Sequence, residues 1–373
     1  MIPEYHGSKG ISISDNHIHF GEQGIKIEAG SQGALTAWNI AMGYFSPCNG
    51  FHGPEEIRSI LEENSLPDGT PWSVPLVLPV NPQTWESLHN GDLVEIWHDM
   101  KKIAIMEVEE RFTLDLEWYT KLLFSTNSDE HPGVMMTRLN ENRFVSGRIL
   151  SVLKDNFSFI VKSGSTEDTR RQIKERGPES VCGFQTRNAP HRGHEFLHKQ
   201  ALSWYDSLAL TPSLGPKKKG DLPDALIISS YRKYLENYLP VERVFLFPVN
   251  YAMIYAGPRE AFLHMVMRKN MGCSHFIIGR DHAGTGKFYG KYEAMEYVKS
   301  IGNTGITPVF MDEAFYCSRC GEISTERICP HPEIYRKRFS GTLIREMIED
   351  NTVPDGNMMR AEIFESIAPS RSC

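Results

Sequence analysis

The sequence predicts a protein of the α/β plus β class, with a mostly β N-terminal domain, a central parallel sheet wound with helices and a small cysteine-bearing C-terminal unit. Three observations lead there. To about residue 165, Val, Ile and Phe alternate with polar residues in short runs punctuated by Gly, Asn and Asp. From residue 178, apolar stretches of strand length take turns with amphipathic stretches of helix length, the signature of a parallel sheet with crossover helices. Three of the seven cysteines then crowd together near the end. At 373 residues the chain is long enough for two or three cores. The expected division is 1–165, 166–311 and 312–373.

In chain order, "PEEIRSILEEN" reads as the one amphipathic helix of the first domain, with Pro54 in its first turn. "WSVPLVLPV" (72–80), "DLVEIWHDMKKIAIMEVEERF" (92–112) and "FVSGRILSVL" (144–153) read as strands, with "HNGD" and "HDMKK" as turns. "KSGSTEDTRRQIKERG" (162–177) reads as a solvated helix capped at Thr166 and stopped by Gly177. "SVCGF", "ALIISS" (225–230), "RVFLFPV" (243–249), "HFIIG" (275–279) and "ITPVFM" are the expected strands of the central sheet. "HRGHEFLHKQALSWY", "PREAFLHMVMRKNMG" (258–272) and "KYEAMEYVKSIG" are its helices. "SGTLIREMIED" (340–350) has the spacing of a capped amphipathic helix whose Leu343, Ile344, Met347 and Ile348 form a packed face.

Composition narrows the function classes. With 40% hydrophobic and 23% charged residues the chain is globular, and a net charge of −7 argues against a protein that wraps nucleic acid. No apolar run approaches the roughly 18 residues of a membrane span, and "MIPEYHGSKG" lacks secretory features, so a cytoplasmic location is expected.

Two loops carry the chemistry, and both follow strands of the parallel sheet, at the carboxyl ends where such sheets bind ligands. In "QTRNAPHRGHEFL" (185–197), His191 and His194 are three apart at the start of a helix, whose free N–H groups already attract anions. Arg187 and Arg192 add permanent charge, and Gln185 and Asn188 add amides, so the stretch suits a multiply anionic ligand. In "GRDHAGTGKFYGKYEA" (279–294), Gly284 and Gly286 permit close backbone approach and Arg280 offers a two-pronged donor for oxyanions. Asp281 is placed to hold Arg280 or a histidine, or to take a ribose hydroxyl. Further on, "CSRCGEISTERICPH" supplies Cys317, Cys320, Cys329 and His331, a ligand set for a structural zinc that would staple the C-terminal unit.

"FQTRNAPHRGHE", "AGPREAFLHMVMRKNMGCSHFIIGRDHAG" and "FSGTLIREMI" together resemble the ATP sulfurylase (sulfate adenylyltransferase) family, and the likeness runs almost end to end. "GYFSPCNGF" (43–51), "PWSVPLVLPV", "STNSDEHPGV" (125–134) and "GPKKKGDLP" (215–223) match its pattern in the right order. The resemblance implies an N-terminal PUA-like β domain, a central Rossmann-like nucleotidyltransferase domain and, as in some bacterial members, zinc in the last unit. It implies adenylyl transfer between ATP and sulfate, giving adenylyl sulfate and pyrophosphate, or the reverse, with Mg²⁺ on the triphosphate and a homodimeric assembly. By the same likeness Gln185 and Arg187 hold sulfate with the backbone of Ala283. Thr186, Arg187 and Asn188 form a catalytic strip with Gln185 along the nucleotide, His191 and His194 steady the phosphates, and Gly279, Arg280, Asp281 and His282 cradle the nucleotide.

The chain departs from the family pattern at Ala189 and Thr285, where prolines are usual, at Ile254, where an arginine is common, and in "TPSLG" (211–215), which lacks a histidine. No P-loop pattern follows, so a kinase-like extension is not expected. Two rival readings were a same-fold adenylyltransferase with another small anionic acceptor, and an RNA-binding protein, which would want a basic, aromatic-studded face.

Overall fold

The computed structural model describes residues 2–14, 24–161, 163–216, 222–339, 346–347, 350 and 352–368. The N-terminal part builds a six-stranded sheet from β1 (Ile25–Glu28), β2 (Gly50–Phe51), β3 (Leu78–Pro79), β4 (Leu93–His98), β5 (Lys101–Thr113) and β6 (Arg143–Val152). Their order is β1-β4-β5-β6-β2, with β3 also beside β6; β1 runs parallel to β4 and the rest pair antiparallel. Asp99 and Met100 both take positive φ (48° and 61°), the two-residue turn that matches the twist of the β4–β5 hairpin.

This part is less β-dominated than its sequence suggests. Around the sheet lie α1 (Ser31–Ala41), α2 (Pro54–Glu63), α3 (Pro82–Ser87), α4 (Leu116–Phe124) and α5 (Pro132–Leu139), where one helix was expected. Of the strand foreseen at 72–80 only Leu78–Pro79 pairs. Pro75 and Pro79 have no N–H to give a ladder, so the run crosses the core and joins the sheet only at its end.

The central sheet comprises β7 (Val181–Thr186), β8 (Ser207–Leu214), β9 (Val244–Leu246), β10 (Val249–Asn250), β11 (His275–Ile278) and β12 (Thr307–Phe310). Every pairing is parallel, in the order β10-β8-β7-β11-β12 with β9 beside β8. Its helices are α6 (Thr166–Arg176), α7 (Arg192–Trp204), α8 (Asp224–Tyr238), α9 (Pro258–Asn270) and α10 (Glu293–Ile301). "ALIISS" is no strand: it lies within α8, whose buried Ile227, Tyr231 and Tyr234 repeat at helical spacing. The fully buried strand of this region is β8, buried at all eight positions. "RVFLFPV" divides into β9 and β10 at Pro248. The cap of α6 is Ser165 rather than Thr166; Ser165 and Asp168 exchange hydrogen bonds in a capping box, and Gly177 (φ 75°) stops the helix as expected.

One core fills the N-terminal sheet and continues across α9 to the central sheet, and a second lies under α7 and α8 on the other face. All of α9 except Arg259 is buried. A helix buried nearly all round, its polar side chains included, belongs between two layers, and α9 is the wedge shared by the two sheets. A small antiparallel sheet, order β14-β13-β15, follows: β13 (Ala314–Cys317), β14 (Glu322–Thr325) and β15 (Arg336–Arg338). The helix expected at 340–350 lies outside the described residues apart from 346, 347 and 350, and so does most of 215–223.

Candidate active site

Strands β7 and β11 are neighbours and parallel, with His275 opposite Cys182 and Phe276 opposite Gly183. Their carboxyl ends therefore open on the same edge of the sheet, and the loops that follow, 187–191 and 279–284, meet there. They line one hollow of about 350 Å³. Gln185, Thr186, Arg187, Asn188, His191 and His194 form one side, and Gly279, Arg280, Asp281, His282, Ala283 and Gly284 the other. The structure thus brings together the residues that the sequence singled out in the two loops, except Arg192 and Gly286, which do not line the hollow.

The first wall is organised by the start of α7. His191 is its N-cap, and its Nδ1 accepts the His194 backbone N–H at 3.2 Å. Nδ1 therefore carries no proton, and Nε2 is the donor. The two rings stack at 3.7 Å between centroids, and Phe339 stacks on the outer face of His191 at 5.3 Å. Protein atoms pack both rings on most sides, although water still reaches part of each. That desolvation, reinforced for His191 by its histidine neighbours, pushes His191 well below the ordinary imidazole range and His194 down to about 4. Near neutral pH both are uncharged, so the standing positive charge lining the hollow comes from Arg187 and Arg280, while Arg192 turns to Glu195 at 3.4 Å.

Among the described residues, the buried Nη1 of Arg187, Oε1 of Gln185 and Nε of Arg192 have no hydrogen-bond partner. An unpaired buried polar atom costs about 1–3 kcal/mol, which a ligand can recover. The Arg187 guanidinium lies 5.5 Å from the ring centroid of Tyr255. Arg280, by contrast, is engaged: Nη2 meets Glu313 Oε1 at 3.1 Å, so Glu313, and not Asp281, holds it.

The second wall is a strained turn. Asp281 and Ala283 take positive φ (52° and 58°) without being glycine. A Cβ on Gly284 would stand 1.8 Å from Asp281 Oδ1, whereas one on Gly279 would meet open space on the hollow side. Behind the wall, His282 Nε2 meets His264 Nδ1 at 3.2 Å.

Phe184, Asp312, Glu313 and Phe339 also line the hollow and were not foreseen. Asp312 and Glu313 stand two and three residues past the end of β12, so the rule about strand carboxyl ends could have found them. Phe339 and the ring of Tyr255 arrive by tertiary packing and carry no local signal.

The cysteine cluster is equally compact. The ligand atoms of Cys317, Cys320, Cys329 and His331 all lie within 4.8 Å of one another. Cys320 Sγ to Cys329 Sγ is 3.8 Å, and His331 Nδ1 is 3.1, 3.5 and 3.8 Å from the sulfurs of Cys320, Cys317 and Cys329. A tetrahedron with Zn–S and Zn–N bonds of ordinary length has edges of about 3.8 and 3.6 Å. These residues could hold a metal ion, and His331 completes the set that three thiolates begin.

Comparison with known proteins bears on the site as a whole. The ATP-sulfurylase family model matches residues 164–370, and a PUA-like domain model matches 21–154. This chain belongs to the ATP-sulfurylase family. Proteins named sulfate adenylyltransferase from Thermococcus onnurineus and Ignicoccus hospitalis are 42% and 38% identical to it. The first match covers 92% of this chain and 89% of the relative, and the second 98% of both. Among solved structures, one titled hexameric APS kinase from Thiobacillus denitrificans superposes with a TM-score of 0.72 at 16% identity, covering 98% of this chain and 68% of that one. That likeness is of fold.

Proposed function

We propose that the chain is a sulfate adenylyltransferase, moving the adenylyl group between ATP and sulfate with adenylyl sulfate and pyrophosphate as the other pair. The observation that carries this is the convergence of two donor-rich loops on one hollow whose buried Arg187 and Gln185 atoms lack partners among the described residues.

Sulfate is fully ionised near neutral pH, so the attack on the α-phosphorus calls for no general base. The barrier is the approach of two anions, and fixed donors that neutralise charge and align the attack are the machinery for it. Gln185, Arg187 and the backbone of Ala283 hold sulfate. Thr186, Arg187 and Asn188 run along the phosphates, and the protonated Nε2 of His191 and the His194 ring donate to them. Gly279 leaves room for the nucleotide, with Arg280, Asp281 and His282 around it. Mg²⁺ bound to the triphosphate would supply further charge neutralisation.

We also assign zinc to the four-residue cluster, domain limits at 165/166 and 311/312, a homodimer and a cytoplasmic location. No helix among the described residues is long and apolar enough to cross a membrane. The direct test supplies adenylyl sulfate and pyrophosphate and measures ATP. His194→Ala should cost at least about a hundredfold, the scale of losing one charge-stabilising donor. Wild-type turnover in that variant would remove the histidines from the mechanism. ATP formation from another acyl or phosphoryl adenylate, but not from adenylyl sulfate, would move the acceptor to a different small anion.

A further inference from the structure

We infer that His131, a residue of the N-terminal part, is a positioning residue for sulfate, acting through Tyr289 and Tyr255 on Arg187. His131 is wholly buried and caps α5: its Nδ1 accepts the backbone N–H of Gly133 at 3.1 Å and of Val134 at 3.3 Å. Accepting two donors leaves Nδ1 bare, so the proton sits on Nε2. Nε2 stands 3.1 Å from Tyr289 Oη and donates to it. Tyr289 Oη then donates its own proton to the Tyr255 carbonyl at 3.0 Å. Each group has one available role, so the direction of the chain is determined.

Its end is a strained residue. Tyr255 is held at φ 67°, a left-handed conformation that costs an aromatic residue of order 1–3 kcal/mol unless its surroundings impose it. Two devices impose it. Buried Glu260 accepts from the N–H groups on either side, Ile254 at 2.8 Å and Ala256 at 3.1 Å, and the Tyr289 hydroxyl grips the carbonyl between them. The fit is close throughout. A Cβ on Gly133 would stand 2.7 Å from the Ile254 carbonyl oxygen, and one on Gly257 would enter the Tyr289 ring at 2.7 Å. The Tyr255 ring so placed is the platform beside the Arg187 guanidinium. Tyr289 also stands in the segment between β11 and α10 that supplies the second wall, so one hydroxyl registers both walls of the hollow against the N-terminal part.

The inference rests on Arg187 holding sulfate, and the test separates the two. Tyr289→Phe removes only the hydroxyl. His131→Asn keeps a side chain suited to capping α5 but too short to reach Tyr289. Sulfate binding is measured by calorimetry with a non-hydrolysable ATP analogue present, alongside turnover from sulfate and ATP. Each variant should bind sulfate about tenfold or more weakly with a matching fall in kcat/KM, as expected for displaced binding groups. The double variant should be no worse than the weaker single, because one link is broken once. Sulfate affinity unchanged in Tyr289→Phe, or losses that multiply in the double variant, would overturn the inference. If His131→Asn does not fold, the affinity of Tyr289→Phe decides alone. A wild-type protein that binds sulfate without turning it over would sink the functional reading and leave the link to be judged by binding.

Discussion

Arg187 and His194 show how differently two donors in one pocket can be charged. Arg187 keeps its charge whatever its surroundings, and its buried Nη1 awaits an acceptor. His194 is held neutral, its pKa lowered to about 4 by desolvation. The sign of the consequence follows. A histidine with a folded pKa below its unfolded value of 6.5 favours the fold fully above pH 6.5, and that contribution is lost as pH falls towards 4. A bound polyanion should raise the pKa, so nucleotide binding between pH 4 and 6.5 should take up protons. Calorimetry at pH 5.5 in buffers of different ionisation enthalpy measures the uptake, and the difference from His194→Asn removes the phosphates' own protonation. Equal uptake in both proteins would place the imidazole away from the anion. For Arg187→Ala the expected loss in turnover is at least about a hundredfold, with little change in thermal midpoint, because no protein partner is orphaned.

At the scale of the element, α7 and α6 do different work. The first turn of α7 presents His191 and His194 to the hollow, and Gly193 lies between them because nothing larger fits. A Cβ there would stand 2.5 Å from the Phe339 ring, which stacks on His191. Gly193→Ala should therefore tilt the imidazole and cut kcat more than it cuts stability, a pattern that steady-state kinetics and thermal melts together will reveal. The helix α6 sits at the junction with the N-terminal part, and its Ser165–Asp168 capping box holds its first turn. Ser165→Ala should cost about 1 kcal/mol of unfolding free energy in denaturant titration, with kinetics unchanged.

Across the whole molecule, one fastening ties the last part to the central sheet and a second closes that part on itself. Glu195 on α7 is 4% exposed and receives Arg360 in a two-pronged pair (2.7 and 3.0 Å), with Lys199 at 2.6 Å. Burial alone would push this carboxyl up, but Arg360 and Lys199 outweigh it and hold it at about 2. Arg360→Ala should destabilise by about 1–3 kcal/mol, since Lys199 and Arg192 remain to share the charge. The second fastening is the Cys317–Cys320–Cys329–His331 cluster. One equivalent of zinc per chain is expected by atomic emission. Stripping it with a chelator should expose the segment after residue 312 to proteolysis while the central sheet persists. A protein with no bound metal and the same protease resistance would dismiss the zinc.

The sequence by itself determined the class of the fold, and it picked out the two polar loops that meet at the hollow and the cysteine–histidine cluster that could hold a metal. These are local properties: a polar loop between an apolar run and a helix start, or two cysteines three apart, is complete within a dozen residues. It failed where a short apolar run fits two periods, so the helix around Ile227 read as a strand and the buried strand Ser207–Leu214 went unnoticed. Only the tertiary structure decided that the two loops share one hollow, because that depends on β7 and β11 being neighbours. It alone also brought Phe339 onto His191, set Glu313 against Arg280 and placed His131 within reach of Tyr289. Contacts between residues up to 158 positions apart are made by packing layers against each other, and no window of sequence contains both partners.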